Sequence, residues 1–341
     1  MRILIVRTSS LGDVVHALPV LSALRRHLPG ARIGWVVEEA LAPLLAGHPD
    51  LDEVLPVRLR EWGKEPFAAA TSRGLRSFLP ALRGFDSEVA LDLMGNHKAG
   101  AIARLSGSPR RIGAARRHRR EPSSALWINE PIEIAGTHAV DRGLSLLAAL
   151  GVPAEPADFG GGRLLPRSDP APPAEPFVLI HPGAGWGNKR YPPAWWGQAA
   201  HRLRAATGLE SKAAVAAGEE ELAAEIEAAS GGAARAVPAA GLPALLALLR
   251  QARLVLGADS GPLHLAHALG VPVLMVMGPT DPARHGPYGA PERALFRRLP
   301  CSFCYRRFDE VKACLLELPP DRVAARAAAL LGAPLESARS S

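Results

Sequence analysis

The chain has 341 residues, of which 48% are hydrophobic and 21% are charged, and its formal net charge is +7. This composition supplies apolar cores for about two domains and excludes an intrinsically disordered chain. Three cysteines exclude a disulfide framework and no uncharged apolar run approaches the ~18 residues of a membrane-spanning helix, so we expect a soluble cytosolic protein.

The first half of the chain alternates between strand and helix patterns. Residues 2–7 form a short apolar run that is typical of a parallel strand and becomes charged too soon for a secretory signal. A polar turn follows, and apolar residues then recur at helical spacing until Pro29-Gly30. Further strands are predicted at 33–37 and 88–93, and further helices at 99–105 and 138–150. This alternation indicates an α/β domain with a parallel sheet.

A stretch rich in proline and glycine separates this half from a second one. The glycines 160–162 and the prolines of 169–176 cannot hold a helix or a central strand, so we place a linker at 166–176. Strand patterns resume at 177–180 and recur at 213–217, 254–256 and 271–277. The predicted organisation is an N-terminal domain over 1–165, a C-terminal domain over 177–325, and a helix with a tail over 326–341.

Parallel sheets place ligands at the carboxyl ends of their strands, so chemistry is expected in the loops after Arg7, Ile180 and Leu256. In the first of these loops, Gly12 allows close approach of a ligand and the following helix start favours anions. Asp13 lies at that helix start. A carboxylate there either caps the helix or acts as a general base, and spacing alone does not choose between the two.

The second loop contains three glycines between 183 and 187 and is closed by Lys189-Arg190 before a helix near Pro193. This pattern is typical of a phosphate cradle with its cation, or of a flexible surface loop with a solvated basic pair. It matches neither the P-loop pattern nor the dinucleotide pattern G-x-G-x-x-G. Both interpretations therefore stay open on spacing alone.

In the third loop, Asp259 or Ser260 can cap a helix whose free N–H groups bind anions. A Ser-His-Asp hydrolase is disfavoured because G-x-S-x-G is absent and Ser260 lies one helical turn from His264. A zinc site is disfavoured as well, since His264 and His267 lack a third ligand at a suitable spacing.

Two further clusters attract attention. Six arginines lie within Arg110–Arg120, which indicates either a solvated loop or a docking site for a polyanionic substrate or an anionic membrane. Nucleic acid is disfavoured because no aromatic platform or recognition helix accompanies the run.

Cys301, Cys304 and Cys314 are one ligand short of a zinc set, so we expect free thiols.

The three loops, taken together and in this order, resemble those of glycosyltransferase family 9, the lipopolysaccharide heptosyltransferases. Residues 3–19 look like the start of the family, and the resemblance extends to about residue 325. Motifs similar to its heptosyltransferase I branch lie at 35–39, 58–64, 92–98, 120–122 and 138–142. Motifs matching the donor half of the family are Lys189, 259–261 with His264, and 278–282.

This resemblance implies an α/β fold of GT-B architecture, in which two Rossmann-like domains face each other across a cleft. It also implies an inverting mechanism with no cofactor and no essential metal. The implied reaction transfers L-glycero-D-manno-heptose from ADP-heptose to Kdo-lipid A in lipopolysaccharide inner-core biosynthesis. A peripheral protein on the inner face of the cytoplasmic membrane would carry it out.

The resemblance also implies roles for individual residues. Asp13 would deprotonate the acceptor hydroxyl, and Lys189 would stabilise the leaving diphosphate. The run of three glutamates at 219–221 leaves the assignment of the ribose ligand to Glu219 open. The expected donor-binding residues are Thr8, Ser9, Gly12, Lys189, Glu219, Asp259, Ser260, Gly261 and His264, and the expected acceptor-binding residues are Arg60, Lys64 and Arg120.

Two departures keep alternatives open. Residues 182–185 are closer to the general family than to heptosyltransferase I, and 300–304 are similar to the heptosyltransferase II branch. The chain could therefore add a different heptose, use another nucleotide sugar, or bind anionic glycolipids without turnover. A Rossmann epimerase or oxidoreductase is disfavoured because G-x-G-x-x-G and a Tyr-x-x-x-Lys pair are absent.

Overall fold

The computed structural model describes residues 1–153, 155–164, 175–216 and 218–332. Within the chain, two compact units are recognised, Met1–Arg167 and Ser168–Ser341. Of the predicted linker over 166–176, only Glu175 and Pro176 fall among the described residues. The predicted tail is described as far as Gly332.

In the described part of the first unit, six strands alternate with helices. The strands are β1 (Arg2–Val6), β2 (Arg32–Glu38), β3 (Glu53–Val57), β4 (Val89–Asp92), β5 (Arg110–Ala114) and β6 (Glu130–Ile132). The α-helices are α1 (Leu11–His27), α2 (Ala42–Leu45), α3 (Leu59–Lys64), α4 (Ala69–Gly84), α5 (His97–Leu105) and α6 (Ala139–Leu144). None of the described helices of the chain is both long and apolar enough to cross a membrane.

The second unit repeats the alternation. Its strands are β7 (Phe177–His181), β8 (Glu210–Val215), β9 (Ala234–Pro238), β10 (Leu254–Ala258), β11 (Val273–Met277) and β12 (Ala294–Phe296). Its helices are α7 (Pro193–Thr207), α8 (Glu220–Ser230), α9 (Gly241–Gln251), α10 (Gly261–Ala268), α11 (Pro282–His285), α12 (Ala313–Leu316) and α13 (Pro320–Leu330).

Both sheets have one topology. The first has the order β3-β2-β1-β4-β5-β6, the second has the order β12-β11-β10-β7-β8-β9, and all neighbouring strands are parallel. Numbered within its own unit, each sheet reads 3-2-1-4-5-6. The strand order reverses between the first and fourth strands, where open sheets of this kind bind ligands. The predicted α/β class is confirmed.

The central strands are apolar because helices cover both faces of each sheet. In β1, Ile5 pairs with Trp35 on one side and Leu91 on the other, and all three side chains are fully buried. In the second unit, Leu256 of β10 pairs with Ile180 of β7 in the same way. The sheets therefore form rigid platforms from which the loops at their carboxyl ends project.

One predicted helix is wrong in part. The segment 138–150 was expected to form a single helix, but α6 ends at Leu144 and a 3₁₀ helix follows over Ser145–Leu150. Gly143 weakens the helix here, and the Ser145 hydroxyl donates to the Arg142 carbonyl 2.9 Å away, in competition with the regular ladder. The segment ends at Gly151, which takes the left-handed conformation with φ of 70°.

Candidate active site

Asp13 lies in the first turn of α1, directly after the loop that follows β1. Its Oδ2 accepts hydrogen bonds from the Ser10 backbone N–H at 3.0 Å and from the Ser10 hydroxyl at 2.9 Å. The Arg7 guanidinium forms an ion pair with its Oδ1. The carboxylate thus caps its own helix, and 35% of the side chain still remains exposed to solvent. The capping interpretation is realised, and a proton-accepting oxygen stays within reach of solvent.

The neighbours of Asp13 in this loop are held by β2 and β4. Thr8 is buried, its carbonyl accepts from the Glu38 N–H at 2.9 Å, and its hydroxyl lies 3.4 Å from Met94 Sδ. Gly12 is buried in the first turn of α1, whereas Ser9 is half-buried. Of the three predicted donor contacts in the first unit, Ser9 therefore offers the most accessible side chain.

A buried ion pair fixes the loop after β4, on the other side of the strand-order reversal. Asp92 and Arg119 lie 2.5 Å apart, and both side chains are 0% exposed. Asp92 also accepts from the N–H groups of Met94 and Gly95 at 2.9 and 3.0 Å. A Cβ on Gly95 would lie 3.3 Å from the Arg120 nitrogen, so the backbone of Arg120 packs against this loop. Arg120 is thereby placed at the reversal point with its side chain exposed.

Much of the arginine-rich run is engaged in contacts within the unit. Arg110 pairs with Glu130 at 2.7 Å, Arg117 pairs with Glu133 at 2.7 Å, and Arg111 donates to the Trp127 carbonyl at 2.8 Å. Together with buried Arg119, four of the six guanidinium groups are therefore used within the unit. The high arginine density reflects internal bonding as much as availability to an anion.

Glu38 at the end of β2 is a buried acid that we did not assign a role from the sequence, although it falls within the motif at 35–39. It accepts from the Arg60 backbone N–H at 3.2 Å. Burial raises the pKa of the Glu38 carboxyl, and Arg60 and Lys98 offset part of that rise. Arg60 and Lys64 themselves lie on α3 with exposed side chains. The two predicted acceptor cations of this helix are therefore available to a ligand.

In the second unit, Asp259 receives three polar side chains. Its Oδ2 lies 2.5 Å from Lys189 Nζ and 2.5 Å from the Thr280 hydroxyl, and its Oδ1 lies 3.1 Å from His264 Nε2. Burial alone would raise the pKa of the Asp259 carboxyl, but the hydrogen bond from His264 and the charge of Lys189 hold it far below its usual range. The Ser260 hydroxyl has no hydrogen-bond partner among the described residues and so does not bond to His264, which further disfavours a Ser260–His264 hydrolase pair.

Lys189 is held between a carboxylate and an aromatic face. Its ammonium lies 4.5 Å from the centre of the Trp186 ring, and the Arg307 guanidinium lies 4.6 Å from the same ring. Arg190, its neighbour in sequence, is exposed and donates to the Ala184 carbonyl at 3.1 Å. The structure therefore separates the predicted basic pair into one inward and one outward cation, and Trp186 and Arg307 are additional members of the site.

The segment after β12 packs on the turn that carries Lys189. The Asn188 N–H donates to the Phe308 carbonyl at 2.8 Å, and its side-chain amide donates to the Arg306 carbonyl at 2.9 Å. A Cβ on Gly187 would lie 2.0 Å from the Asp309 oxygen, so only glycine fits at this close approach. One glycine of the loop is thus required for packing rather than for ligand approach.

The structure distinguishes among the three glutamates at 219–221. Glu219 is half-buried. It lies next to the loop after β7: a Cβ built on Gly183 would be 3.5 Å from the Glu219 Oε1 and 3.3 Å from His181 Cε1. Glu220 and Glu221 lie exposed in the first turn of α8. Glu219 is therefore the member of the run that reaches the strand-order reversal of the second unit.

The loop after β10 ends at the start of α10. Ser260 is the N-cap residue, and its buried hydroxyl has no hydrogen-bond partner among the described residues. Pro262 has no N–H, and the N–H groups of Leu263 and His264 donate to the Ser260 carbonyl at 3.1 and 3.3 Å, so the Gly261 N–H is the first-turn donor without an acceptor within the helix. This end of α10 offers donors to an anion beside Asp259.

The thiols remain free. Cys301 and Cys304 are exposed and Cys314 is half-buried, and burial raises the pKa of the Cys314 thiol. Within the described parts of the chain, no group of three His, Cys, Asp or Glu residues is arranged to hold a metal ion.

Comparison with protein families gives a match to glycosyltransferase family 9 (heptosyltransferase) over residues 75–314. Lipopolysaccharide heptosyltransferase 1 of Pseudomonas aeruginosa is 33% identical over 98% of this chain and 99% of its own length.

The fold of this chain is similar to that of solved heptosyltransferase structures. E. coli heptosyltransferase WaaC with ADP-2-deoxy-2-fluoro heptose has a TM-score of 0.77 at 30% identity, covering 95% of this chain and 98% of its own. E. coli ADP-heptose lps heptosyltransferase II has a TM-score of 0.72 at 21% identity, covering 97% and 98%. The expected GT-B fold class is confirmed.

Proposed function

The chain belongs to glycosyltransferase family 9, and from that premise we propose that it transfers heptose from ADP-heptose to the lipopolysaccharide inner core. It is a glycosyltransferase that uses ADP-heptose as donor. The acceptor that we propose is Kdo-lipid A, and the transfer inverts the configuration of the anomeric carbon. The observation that best supports this proposal is the extent of the similarity. The P. aeruginosa heptosyltransferase 1 matches 98% of the chain, including the unit with Asp13 and the unit with Lys189.

Asp13 is the proposed general base. As the acceptor hydroxyl attacks the anomeric carbon, its proton passes to the Asp13 carboxylate, while the bond from that carbon to the diphosphate oxygen breaks. Ser10 and Arg7 fix the orientation of the carboxylate, and its partial exposure leaves room for the acceptor. Such fixed orientation is what a catalytic base requires, because reorganisation during the reaction is avoided.

Lys189 and the start of α10 are proposed to receive the leaving ADP. An ammonium group has three N–H donors, and the salt bridge to Asp259 uses one of them. The others can reach phosphate oxygens while Asp259 holds the group in place. The N–H of Gly261 and the unpartnered Ser260 hydroxyl supply neutral donors on the same side of the unit. We propose that this set replaces the divalent metal used by other transferases, so that no cofactor is required.

The remaining assignments follow the geometry of each unit. Glu219 is proposed to accept hydrogen bonds from the ribose of ADP, since it alone of its run reaches the loop after β7. Thr8, Ser9 and Gly12 line the donor approach in the first unit, where only Ser9 has a partly exposed side chain. Arg60, Lys64 and Arg120 are exposed and are proposed to bind the phosphates and carboxylates of the acceptor. We further propose a cytoplasmic protein that works at the inner membrane surface and does not bind nucleic acid.

Asp13→Asn is the decisive variant. Its amide oxygen still accepts from Ser10 and preserves the helix cap, but it cannot take a proton. We expect transfer to fall by about 10²–10⁴-fold while ADP affinity is unchanged, because the base contributes only to the reaction. Asp13→Ala removes the cap as well and is expected to lose about 1 kcal/mol of stability. Full transfer by the Asn variant would reject Asp13 as the base.

The acceptor is tested by product mass. The enzyme is incubated with ADP-heptose and either Kdo-lipid A or the same acceptor already carrying one heptose. Our proposal expects a single heptose added to the first acceptor and none to the second. Transfer only to the second would assign the chain to the next addition, and binding without product would identify a glycolipid-binding protein.

A further inference from the structure

The segment 58–84, which joins β3 to β4 through α3 and α4, carries a surface of which the proposed reaction uses only Arg60 and Lys64. Phe67, in the turn between the two helices, is 98% exposed, and no other large hydrophobic side chain of the described residues exceeds 67%. The turn is well bonded: the Ala68 N–H donates to the Glu65 carbonyl at 3.2 Å, and the Thr71 hydroxyl donates to the same oxygen at 2.7 Å. The fold therefore presents this ring to solvent at a fixed place.

Basic side chains surround the exposed ring. Residues 58–84 contain six basic and two acidic residues, a local net charge of +4. Arg58 is paired with Glu39 and Glu61. The four other cations of this stretch that lie on α3 and the first half of α4 are exposed and have no salt bridge to any described residue: Arg60, Lys64, Arg73 and Arg76. Arg73 and Arg76 are three residues apart and share one face of α4.

An open depression adjoins the same surface. It has a volume of about 840 Å³ beside the edge strand β3, and its rim includes Lys64 and Arg73. Trp62 and Phe78 form part of its lining, with ring centres 5.9 Å apart. A Cβ on Gly74 would lie 2.8 Å from the Trp62 ring, so α4 keeps this wall close. Three acidic residues, Glu39, Glu61 and Glu65, also line the depression, and the first two of them are paired with Arg58. The surface thus combines apolar walls with a charged rim on which Lys64 and Arg73 remain without an ion-pair partner among the described residues.

We propose that this surface, which we call the Phe67 surface (residues 58–76), docks on a lipid bilayer that contains anionic lipids. An apolar anchor and a basic patch together provide the two signals that reversible membrane binding needs. Phe67 inserts at the level of the headgroups, and the unpaired cations contact lipid phosphates. The occupant is a bilayer rather than a protein because the surface offers one protruding ring with a net positive charge around it: Arg58 offsets Glu61, and four unpaired cations outnumber the remaining acid, Glu65.

This proposal names the surface through which the proposed function would reach the membrane. It rests on that function in one respect, namely that the acceptor is anchored in a lipid bilayer. Arg60 and Lys64, assigned above to that acceptor, lie on the same helix that leads to Phe67. Docking through this surface would therefore bring the acceptor cations to the membrane plane where the acceptor resides. The Phe67 ring itself takes no part in donor binding, acceptor binding or the transfer reaction.

The test is co-sedimentation of the full chain with vesicles, in the absence of donor and acceptor. Vesicles of phosphatidylethanolamine with phosphatidylglycerol are compared with vesicles of phosphatidylcholine alone. We expect binding to the first, weakened by salt, and little to the second. Phe67→Ser should reduce the partition coefficient about tenfold and Arg76→Glu about fivefold or more. Matched controls in the same unit are Leu126→Ser, at a side chain 67% exposed, and Arg104→Glu, also exposed; both should bind like the unaltered chain.

Transfer to a deacylated, water-soluble acceptor separates this proposal from the proposed function. Phe67→Ser should keep full transfer to that acceptor while it loses vesicle binding. Equal vesicle binding by Phe67→Ser and the unaltered chain would overturn the docking proposal even if transfer is intact. A change of oligomeric state in Phe67→Ser without a change in vesicle binding would overturn it too, in favour of a contact between copies. Absence of transfer in the unaltered chain, with vesicle binding that depends on Phe67, would reject the proposed function alone.

Discussion

Each unit holds a buried carboxylate at the end of its fourth strand, and the two are used differently. In the first unit, Asp92 pairs with Arg119 and both side chains are sealed from solvent. In the second, Asp259 pairs with Lys189, whose side chain keeps 13% of its exposure. The strand order is the same in both units, so the two carboxylates occupy equivalent places beside the reversal point.

The difference lies in the cation. Guanidinium binds through a rigid planar fork, and Arg119 uses it to bind Asp92, the Ser124 hydroxyl and the Ala114 carbonyl together. Ammonium is a compact charge with three rotatable donors, and Lys189 commits one of them to Asp259. A sealed pair fixes a loop, whereas a pair with an open side fixes a cation and leaves it able to contact a ligand.

The largest effect is expected from breaking the sealed pair. Arg119→Met would leave the Asp92 charge buried without its partner and should lower the free energy of unfolding by about 3–5 kcal/mol. Urea denaturation measures this. The control is Arg116→Met at an exposed side chain, which should change stability by less than about 0.5 kcal/mol. A loss in Arg119→Met as small as that of the control would remove the anchor role.

Breaking the open pair should lower turnover as well as stability, because Lys189→Met leaves the buried Asp259 carboxylate with the His264 and Thr280 hydrogen bonds alone. Lys189→Met is expected to lower kcat about 10²–10³-fold, because the departing diphosphate loses a charged donor. Arg190→Met, its exposed neighbour, serves as the control and should retain most activity. Steady-state kinetics with ADP-heptose measures the effect. An unchanged kcat in Lys189→Met would mean that Lys189 only neutralises Asp259 and does not contact the departing diphosphate.

Thr280 probes how Asp259 is held. Thr280→Val keeps the shape but removes a hydrogen bond to a buried carboxylate, and should lower the free energy of unfolding by about 2 kcal/mol. Thr280→Ser retains the hydroxyl and should recover most of that loss. Equal stability of the Val variant and the unaltered chain would show that Lys189 and His264 suffice.

The smallest effect concerns acid. Burial lowers the pKa of His181 below its usual 6.5, and burial does the same for His48 in the first unit. As the pH falls, the unfolded chain binds these protons before the folded chain does. The free energy of unfolding therefore keeps its full value above pH 6.5 and decreases below it, by at most about 1.4 kcal/mol per pH unit for each ring. Thermal unfolding at pH 7.5 and 5.5 should reveal the loss. His181→Gln should reduce it, and a loss independent of both histidines would contradict the prediction.

Local patterns predicted much of the fold. Apolar runs located seven of the twelve described strands within a few residues, because burial on both faces of a parallel sheet leaves a continuous apolar run. The other strands, β3, β5, β6, β9 and β12, were not predicted because they are only partly buried and lack such a run. The helix predicted at 138–150 was wrong in part where Gly143 and Ser145 weaken it. The sequence also indicated the loops after β1, β7 and β10, since glycine, serine and aspartate cluster there.

Partnerships within these loops were not predictable. Nothing in the spacing places Arg307 against the Trp186 ring that also contacts Lys189, because 121 residues separate Trp186 from Arg307. Likewise, the sequence does not show which arginines of the run 110–120 are free to bind an anion. The fold pairs Arg110 with Glu130 and Arg119 with Asp92. Contacts between distant residues depend on strand order and register, which periodicity does not encode.

Composition, apolar rhythm and loop residues by themselves determined that this is an α/β chain of two parallel-sheet units with its chemistry after the strands. Only the tertiary structure decided which charges are consumed internally and which remain for a ligand, with Arg119 sealed, Lys189 half open and Phe67 fully exposed. The physical reason is that a residue's type fixes the charge or apolar area it can offer. The neighbours that fold onto it fix whether that capacity is already satisfied.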